Sequence, residues 1–387
     1  MNAGNLLWLE EKFRPLFDKL SLRLKTKIYS AGRKKFLEIM NDEKIDFRVV
    51  SPKNLERILW GIKFPSPIMN AAGMFKNGEC YELMARQGAG GYLGGTSTFE
   101  SIIGNEKNGI KTPFVKLSKS GAALNWLGLP NDGIGFWKND FQKYELEIKI
   151  SEMVKVKKMY GCPVGWSVAI NGENVYGLGT AGILLRVLKN AGVDFIEINR
   201  SCPNTKRDEA EMSYILGNIM KESYVKMENG KSKKIVPLIV KFSNDAKIKQ
   251  VPKLIDTLIE FKFDGVNFGN TSTGHSLHRN SINENEKKLF DYFTSEFGGG
   301  ISGIPLKKNS LRLCEAAAEY VQKIKLNSEF HVIRTGGIEN AQDLIDSNNA
   351  GVSLNQWFTG YWENFRKYEN KVYEKIYGDL TNSRDSR

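Results

Sequence analysis

The chain has 387 residues, of which 41% are hydrophobic and 26% charged, and its formal net charge is +12. That length and apolar content suit one large core, and no low-complexity stretch interrupts it, so one large domain with an appendage is expected. Its apolar runs fall short of the roughly eighteen residues a membrane-spanning helix needs. The basic excess comes without a zinc finger, helix-turn-helix or RNA-binding aromatic motif, so nucleic acid is not an expected partner.

Residues 1–50 differ from the remainder. Leu6, Leu9, Phe13, Leu16, Leu20, Leu24 and Ile28 recur at steps of three and four and predict one apolar helical face, with Pro15 as a kink. Lys12, Arg14, Lys19, Arg23, Lys25 and Lys27 make the other faces basic. Such an element either packs on the main domain with a solvated basic side or lies on an anionic membrane surface, and the two are compatible. "NLLWLEEKF" has too short an apolar run, with acids inside it, for a secretory signal.

From residue 65 apolar runs recur at "PIMNAAG", "GGYLGGT", "VGWSVAI", "FIEIN", "PLIVKF", "GVNFGN", "HVIRTGG" and "VSLNQW", with helical segments such as 144–159, 176–191 and 307–325 between several of them. Eight alternating units predict an α/β fold, a (β/α)₈ TIM barrel over residues 51–387 behind the helical extension of residues 1–50. A doubly wound open sheet is the alternative, but no G-x-G-x-x-G follows the first strand.

The strand ends collect polar groups: Lys76, Thr96, Asn125, Asn199, Cys202, Asn204, Lys241, Asn270 and Thr271. Amides and hydroxyls in this proportion suit a planar, amide-rich ligand, and the two lysines suit an anion or a developing negative charge. Gly336, Gly337, Thr359 and Gly360 follow the last two strands, where barrels often bind phosphate on backbone N–H groups. Cys80, Cys162, Cys202 and Cys314 are too few and too scattered for a disulfide framework, which fits a reducing compartment. His275, His278 and His331 are the only histidines and lack neighbouring ligands, so no metal site is expected and proton chemistry falls to other groups. A lone cysteine is usually a small core residue. Cys202 in "FIEINRSCPNT" is unusual in following an apolar strand directly into a loop flanked by asparagines. Lys111 and Lys116 read as solvated surface.

Taken in order, "NAAGMFKNGE", "GGTST", "NWLGLPNDG", "EINRSCPNT", "PLIVKF", "DGVNFGNTS", "GGGISGIPL", "RTGGIENAQD" and "QWFTG" resemble the dihydroorotate dehydrogenase family over residues 58–365. The resemblance implies an FMN-containing barrel that oxidises dihydroorotate to orotate in pyrimidine biosynthesis and passes two electrons to a second acceptor. It implies that Cys202 is the base that removes the C5 proton while hydride leaves C6 for the flavin. Lys76, Asn125, Asn199, Asn204, Asn270 and Thr271 would then hold the substrate's carboxylate and ring amides. Lys241 would face the flavin N1/C2 edge, and Ala72, Gly73, Thr96, Ser167, Asn199, Gly303, Gly336, Gly337, Phe358 and Thr359 would contact FMN, the last two beside its phosphate.

The subclass signals are mixed. The extension, Lys76 and Gly95 resemble members that reduce quinone at a membrane, whereas a cysteine base resembles soluble members. Phe114 stands where the family commonly has arginine after proline, and "NTKRDEAEM" lacks the usual Gly-Leu-Arg. Quinone is the expected acceptor, on the cytoplasmic side and peripheral to a membrane. Fumarate or NAD is the alternative, as is a related FMN barrel acting on another cyclic amide. A flavin-binding protein without turnover is opposed by the intact Cys202, Lys241 and asparagine set.

Overall fold

The computed structural model describes residues 3–17, 19–138, 143–169, 175–200, 213–214, 216–221, 223–226, 232–234 and 236–385. The eight apolar runs become eight strands: β1 (Ile68–Asn70), β2 (Tyr92–Ser97), β3 (Val164–Val168), β4 (Phe195–Asn199), β5 (Leu238–Ser243), β6 (Gly265–Asn270), β7 (His331–Thr335) and β8 (Leu354–Trp357). Seven parallel pairings join them in the order β1-β8-β7-β6-β5-β4-β3-β2. The barrel closes between β1 and β2 partly through a side chain. The Asn70 amide donates to the Leu93 carbonyl at 2.7 Å and accepts from its N–H at 3.1 Å. This is a (β/α)₈ barrel, with helices such as Glu145–Tyr160, Val175–Ala191 and Lys307–Ile324 between strands.

The two-residue period of the strands sorts each inward face into layers. Phe195, Ile239, Ile333 and Leu354 cluster with Met69 and Leu93 toward one end of the barrel, where a hairpin of Arg57–Leu59 and Ile62–Phe64 packs against them. Two residues further along the same strands stand Glu197, Lys241, Thr335 and Gln356, all buried. The intervening residues face outward: Ile196, Ile198, Val240 and Val332 belong to the main core beneath the helices.

Over the C-terminal mouth lies a second, antiparallel sheet of Phe114–Leu117, Ala122–Asn125 and Gly300–Gly303, backed by the helix Glu284–Phe297. The first two strands are inserted after β2 and the third after β6. Asn125 therefore reaches the mouth from this inserted sheet, although the sequence suggested a barrel-strand end.

The apolar stripe near the start does not run along one helix. It divides between α1 (Ala3–Phe17) and α2 (Leu22–Asn41). Pro15 has no N–H to donate, α1 stops two residues later, and Ser21 caps α2 by accepting from Leu24 N–H. The pair packs on the barrel: Arg366 bonds Glu11 at 2.7 Å, and Phe36 meets Trp362 edge-on at 5.3 Å.

Candidate active site

A polar cavity of about 280 Å³ opens at the C-terminal ends of the barrel strands. Ala72, Gly73 and Lys76 enter it from the loop after β1, Thr96 from β2, Asn199 from β4, Lys241 from β5, and Asn270 and Thr271 from the end of β6. The inserted sheet adds Asn125 and Gly303, and the turns after β7 and β8 add Gly336, Gly337, Phe358, Thr359 and Gly360. Ser167 stands behind this wall, 3.0 Å from the Thr96 hydroxyl. Cys202 and Asn204 lie outside the described residues.

A chain of polar contacts fixes the side-chain directions. Asn270 donates to Asn199 Oδ1 at 2.7 Å, and Asn199 donates to Thr96 Oγ1 at 3.4 Å. Pairing with β5 fixes the backbone at both residues, Asn199 opposite Lys241 and Asn270 opposite Ser243 just past a register shift. At the far side Ser302 and Thr359 hydroxyls meet at 2.9 Å. Side chains are excluded from the turns beside them. A Cβ on Gly337 (φ +71°) would fall 2.5 Å from Lys307 Cα, and one on Gly360 would fall 1.9 Å from the Ile338 carbonyl oxygen. Close backbone packing thus requires glycine at both positions, and the start of the helix Thr359–Tyr368 lines the cavity, which suits the anionic end of a ligand.

Lys241 forms the floor, almost fully buried. Lys76 is half-buried, and desolvation followed by the nearby Arg33 charge lowers its pKa to about 7. Arg33 comes from α2, and nothing in the sequence distinguished it from its basic neighbours. Its Nε is buried without a hydrogen-bond partner, and desolvation lowers its pKa.

A second cavity, about 380 Å³, runs between α1, α2 and the barrel. Leu6, Leu9, Phe13 and Ile28 of the sequence stripe line it with Phe36 and Trp362. Arg33, Phe114, Phe358 and Thr359 border both cavities. Lys116 is not solvated surface: it lines the apolar cavity and pairs with Glu363 at 3.2 Å, both largely buried.

The family model for dihydroorotate dehydrogenase matches residues 54–381. The chain belongs to the dihydroorotate dehydrogenase family. Among curated members, "Dihydroorotate dehydrogenase (quinone)" of Photobacterium profundum is 29% identical over 307 residues, covering 78% of this chain and 81% of the relative. The enzyme of the same name from Christiangramia forsetii is 28% identical over 318 residues, covering 81% of each chain. A crystal structure of the Eimeria tenella family member in complex with ferulenol superposes with a TM-score of 0.72 at 20% identity, over 92% of this chain and 91% of that one. The family assignment accounts for the barrel and the order of the motifs. Arg33, Ser302 and the Lys116–Glu363 pair are features of this chain that its motifs alone did not single out, whereas Phe114 had stood out as a departure from the family pattern.

Proposed function

We propose that the protein oxidises dihydroorotate to orotate with bound FMN and delivers the electrons to a quinone. Residues 1–50 act as the extension that admits the acceptor, and residues 51–387 act as the catalytic barrel. The observation that carries this reading is the meeting of two unlike cavities at Arg33, Phe114, Phe358 and Thr359. One is polar and amide-lined, suited to a pyrimidine ring. The other is apolar and suited to a lipid-soluble molecule. The names of the curated relatives support the same acceptor.

The donor set fits FMN. The glycine turns at Gly336, Gly337 and Gly360 with Thr359 line the cavity and suit its phosphate, and Thr96, Asn199 and Lys241 supply the donors and acceptors a flavin ring requires. When bound, FMN supplies the two-electron oxidant. The protein's own residues do the rest. Lys76 holds the substrate carboxylate, and Asn125, Asn199, Asn204, Asn270 and Thr271 pair with the ring amides. Cys202 takes the C5 proton, since the thiolate of a cysteine is a competent general base. Lys241 offsets negative charge that develops on its side of the site.

The test is anaerobic mixing with dihydroorotate while flavin absorbance is followed, then addition of quinone, fumarate or NAD. Cys202→Ala should still bind orotate but bleach its flavin about 10²–10⁴ times more slowly. Wild-type bleaching rates in Cys202→Ala would remove the base assignment, and reoxidation by fumarate in preference to quinone would remove the acceptor.

A further inference from the structure

Beneath the cavity floor the barrel holds a buried carboxylate that the reaction just described does not use. Glu197, on β4, is fully buried among side chains from three other strands. Its Oε2 accepts from Asn267 Nδ2 and Gln356 Nε2, each at 2.8 Å. The single proton of the Thr335 hydroxyl goes to Asn267 Oδ1 at 2.9 Å or to Gln356 Oε1 at 3.0 Å, and the carboxylate itself, which only accepts, orients both amides with N–H toward it. The other oxygen, Oε1, has no hydrogen bond and stands 3.4 Å from Lys241 Nζ. Lys241 Nζ also lies 3.5 Å from Gln356 Oε1. The carboxylate is thus anchored on one oxygen and leaves the other to the lysine.

A buried ammonium without a counter-charge tends to shed its proton, and breaking one half of a buried pair leaves the other half uncompensated. We propose that Glu197 is a positioning residue that keeps Lys241 protonated and aimed at the cavity floor before any negative charge arrives there. This rests on the reading of Lys241 as the residue facing bound FMN. The floor is then cationic in advance, and reduction of the flavin requires no proton uptake by the protein. Among the described residues, Glu197 is the charged group within ion-pair distance of Lys241, and the other side chains meeting Glu197, Asn267 and Gln356, do not titrate.

Glu197→Gln removes the charge while keeping the shape. In the wild type, two electrons and one proton enter the bound flavin across the neutral range, and the midpoint potential falls by about 30 mV per pH unit, the tenfold equivalent for a two-electron couple. In Glu197→Gln, Lys241 is neutral while the flavin is oxidised and takes a proton when the flavin is reduced. A second proton then accompanies the same two electrons, and the slope doubles over the neutral range. The double variant Glu197→Gln/Lys241→Gln returns to the single-proton slope. An unchanged slope in Glu197→Gln with flavin bound overturns the proposal and leaves the flavin reading intact, whereas wild-type protein that takes up no flavin sinks the reading beneath it. If Glu197→Gln alone does not fold, the double variant decides. Its recovery supports a charge partnership, and its failure means that Glu197 serves only the amide network.

Discussion

An ammonium withdrawn from water and held beside a guanidinium loses its proton more readily, and desolvation first, then the Arg33 charge, bring the pKa of Lys76 to about 7. The consequence for an anionic ligand has a definite sign. Below about pH 7 the ammonium is already present and meets the carboxylate at no protonation cost; above it, binding must first recruit a proton. Orotate affinity should therefore be constant at low pH and weaken up to about tenfold per pH unit beyond the break, as a one-proton linkage requires. Arg33→Met removes the repulsion and should move the break upward, while Lys76→Met should flatten the profile. Titration of orotate affinity between pH 6 and 9 checks this, and an unmoved break in Arg33→Met would separate Arg33 from Lys76. The same residues mark the limit of sequence reading at this scale. Lys76 was legible from its motif, whereas Arg33 was one basic residue among several on α2 until the fold brought it to the cavity.

At the scale of elements, α1 and α2 form a wall whose inner surface packs on the barrel in part and lines the apolar cavity in part. Gly32 occupies that wall, and a Cβ placed on it meets nothing within 4 Å. Gly32→Phe should thus seat its Cβ without a clash and place a ring at the rim of the apolar cavity, and replacing a helical glycine should add about 0.5 kcal/mol of stability. Quinone turnover should fall at least about tenfold, the equivalent of about 1.4 kcal/mol, while flavin reduction by dihydroorotate keeps its wild-type rate. Stopped-flow measurement of each half-reaction distinguishes them. Equal loss in both would mean that the ring had disturbed the polar cavity, and no loss in either would mean that the acceptor enters elsewhere. The apolar stripe pointed to an amphipathic element, but its division into two helices depended on Pro15, on the Ser21 cap and on the barrel surface available to receive it.

For the whole molecule, we propose the exposed apolar residues of the helical pair as the face that would meet a membrane. Trp8 and Leu16 are 57% and 59% exposed, and Lys12 lies over the Trp8 ring at 4.7 Å. An aromatic body with a cationic partner suits the boundary between headgroups and acyl chains. Each basic residue near an anionic surface adds about 1 kcal/mol, an effect screened beyond about 10 Å at moderate ionic strength. The double variant Trp8→Ser/Leu16→Ser should bind anionic vesicles at least about tenfold more weakly, with wild-type binding itself declining as salt rises. Sedimentation with vesicles of defined composition tests it, and unchanged binding in the variant would place the contact on another face.

Apolar runs ending in polar residues were sufficient to locate all eight barrel strands, because a barrel strand must be apolar where it is covered and polar where it opens on the site. The motif order likewise identified Lys76, Asn199, Lys241 and Asn270 as neighbours, since residues at the same end of successive parallel strands are brought together by the ladder itself. What tertiary structure alone decided is every contact that joins distant stretches without a periodic signature. The β4 pattern "FIEIN" contains Glu197, but only closure of the barrel sets its carboxylate beside Lys241, Asn267 and Gln356. Lys116 looked like surface because a lysine in a short exposed-seeming strand usually is, until Glu363 arrived from a helix far along the chain. Local sequence encodes which way a side chain points; which charge waits there is fixed by the packing of elements that no local rule connects.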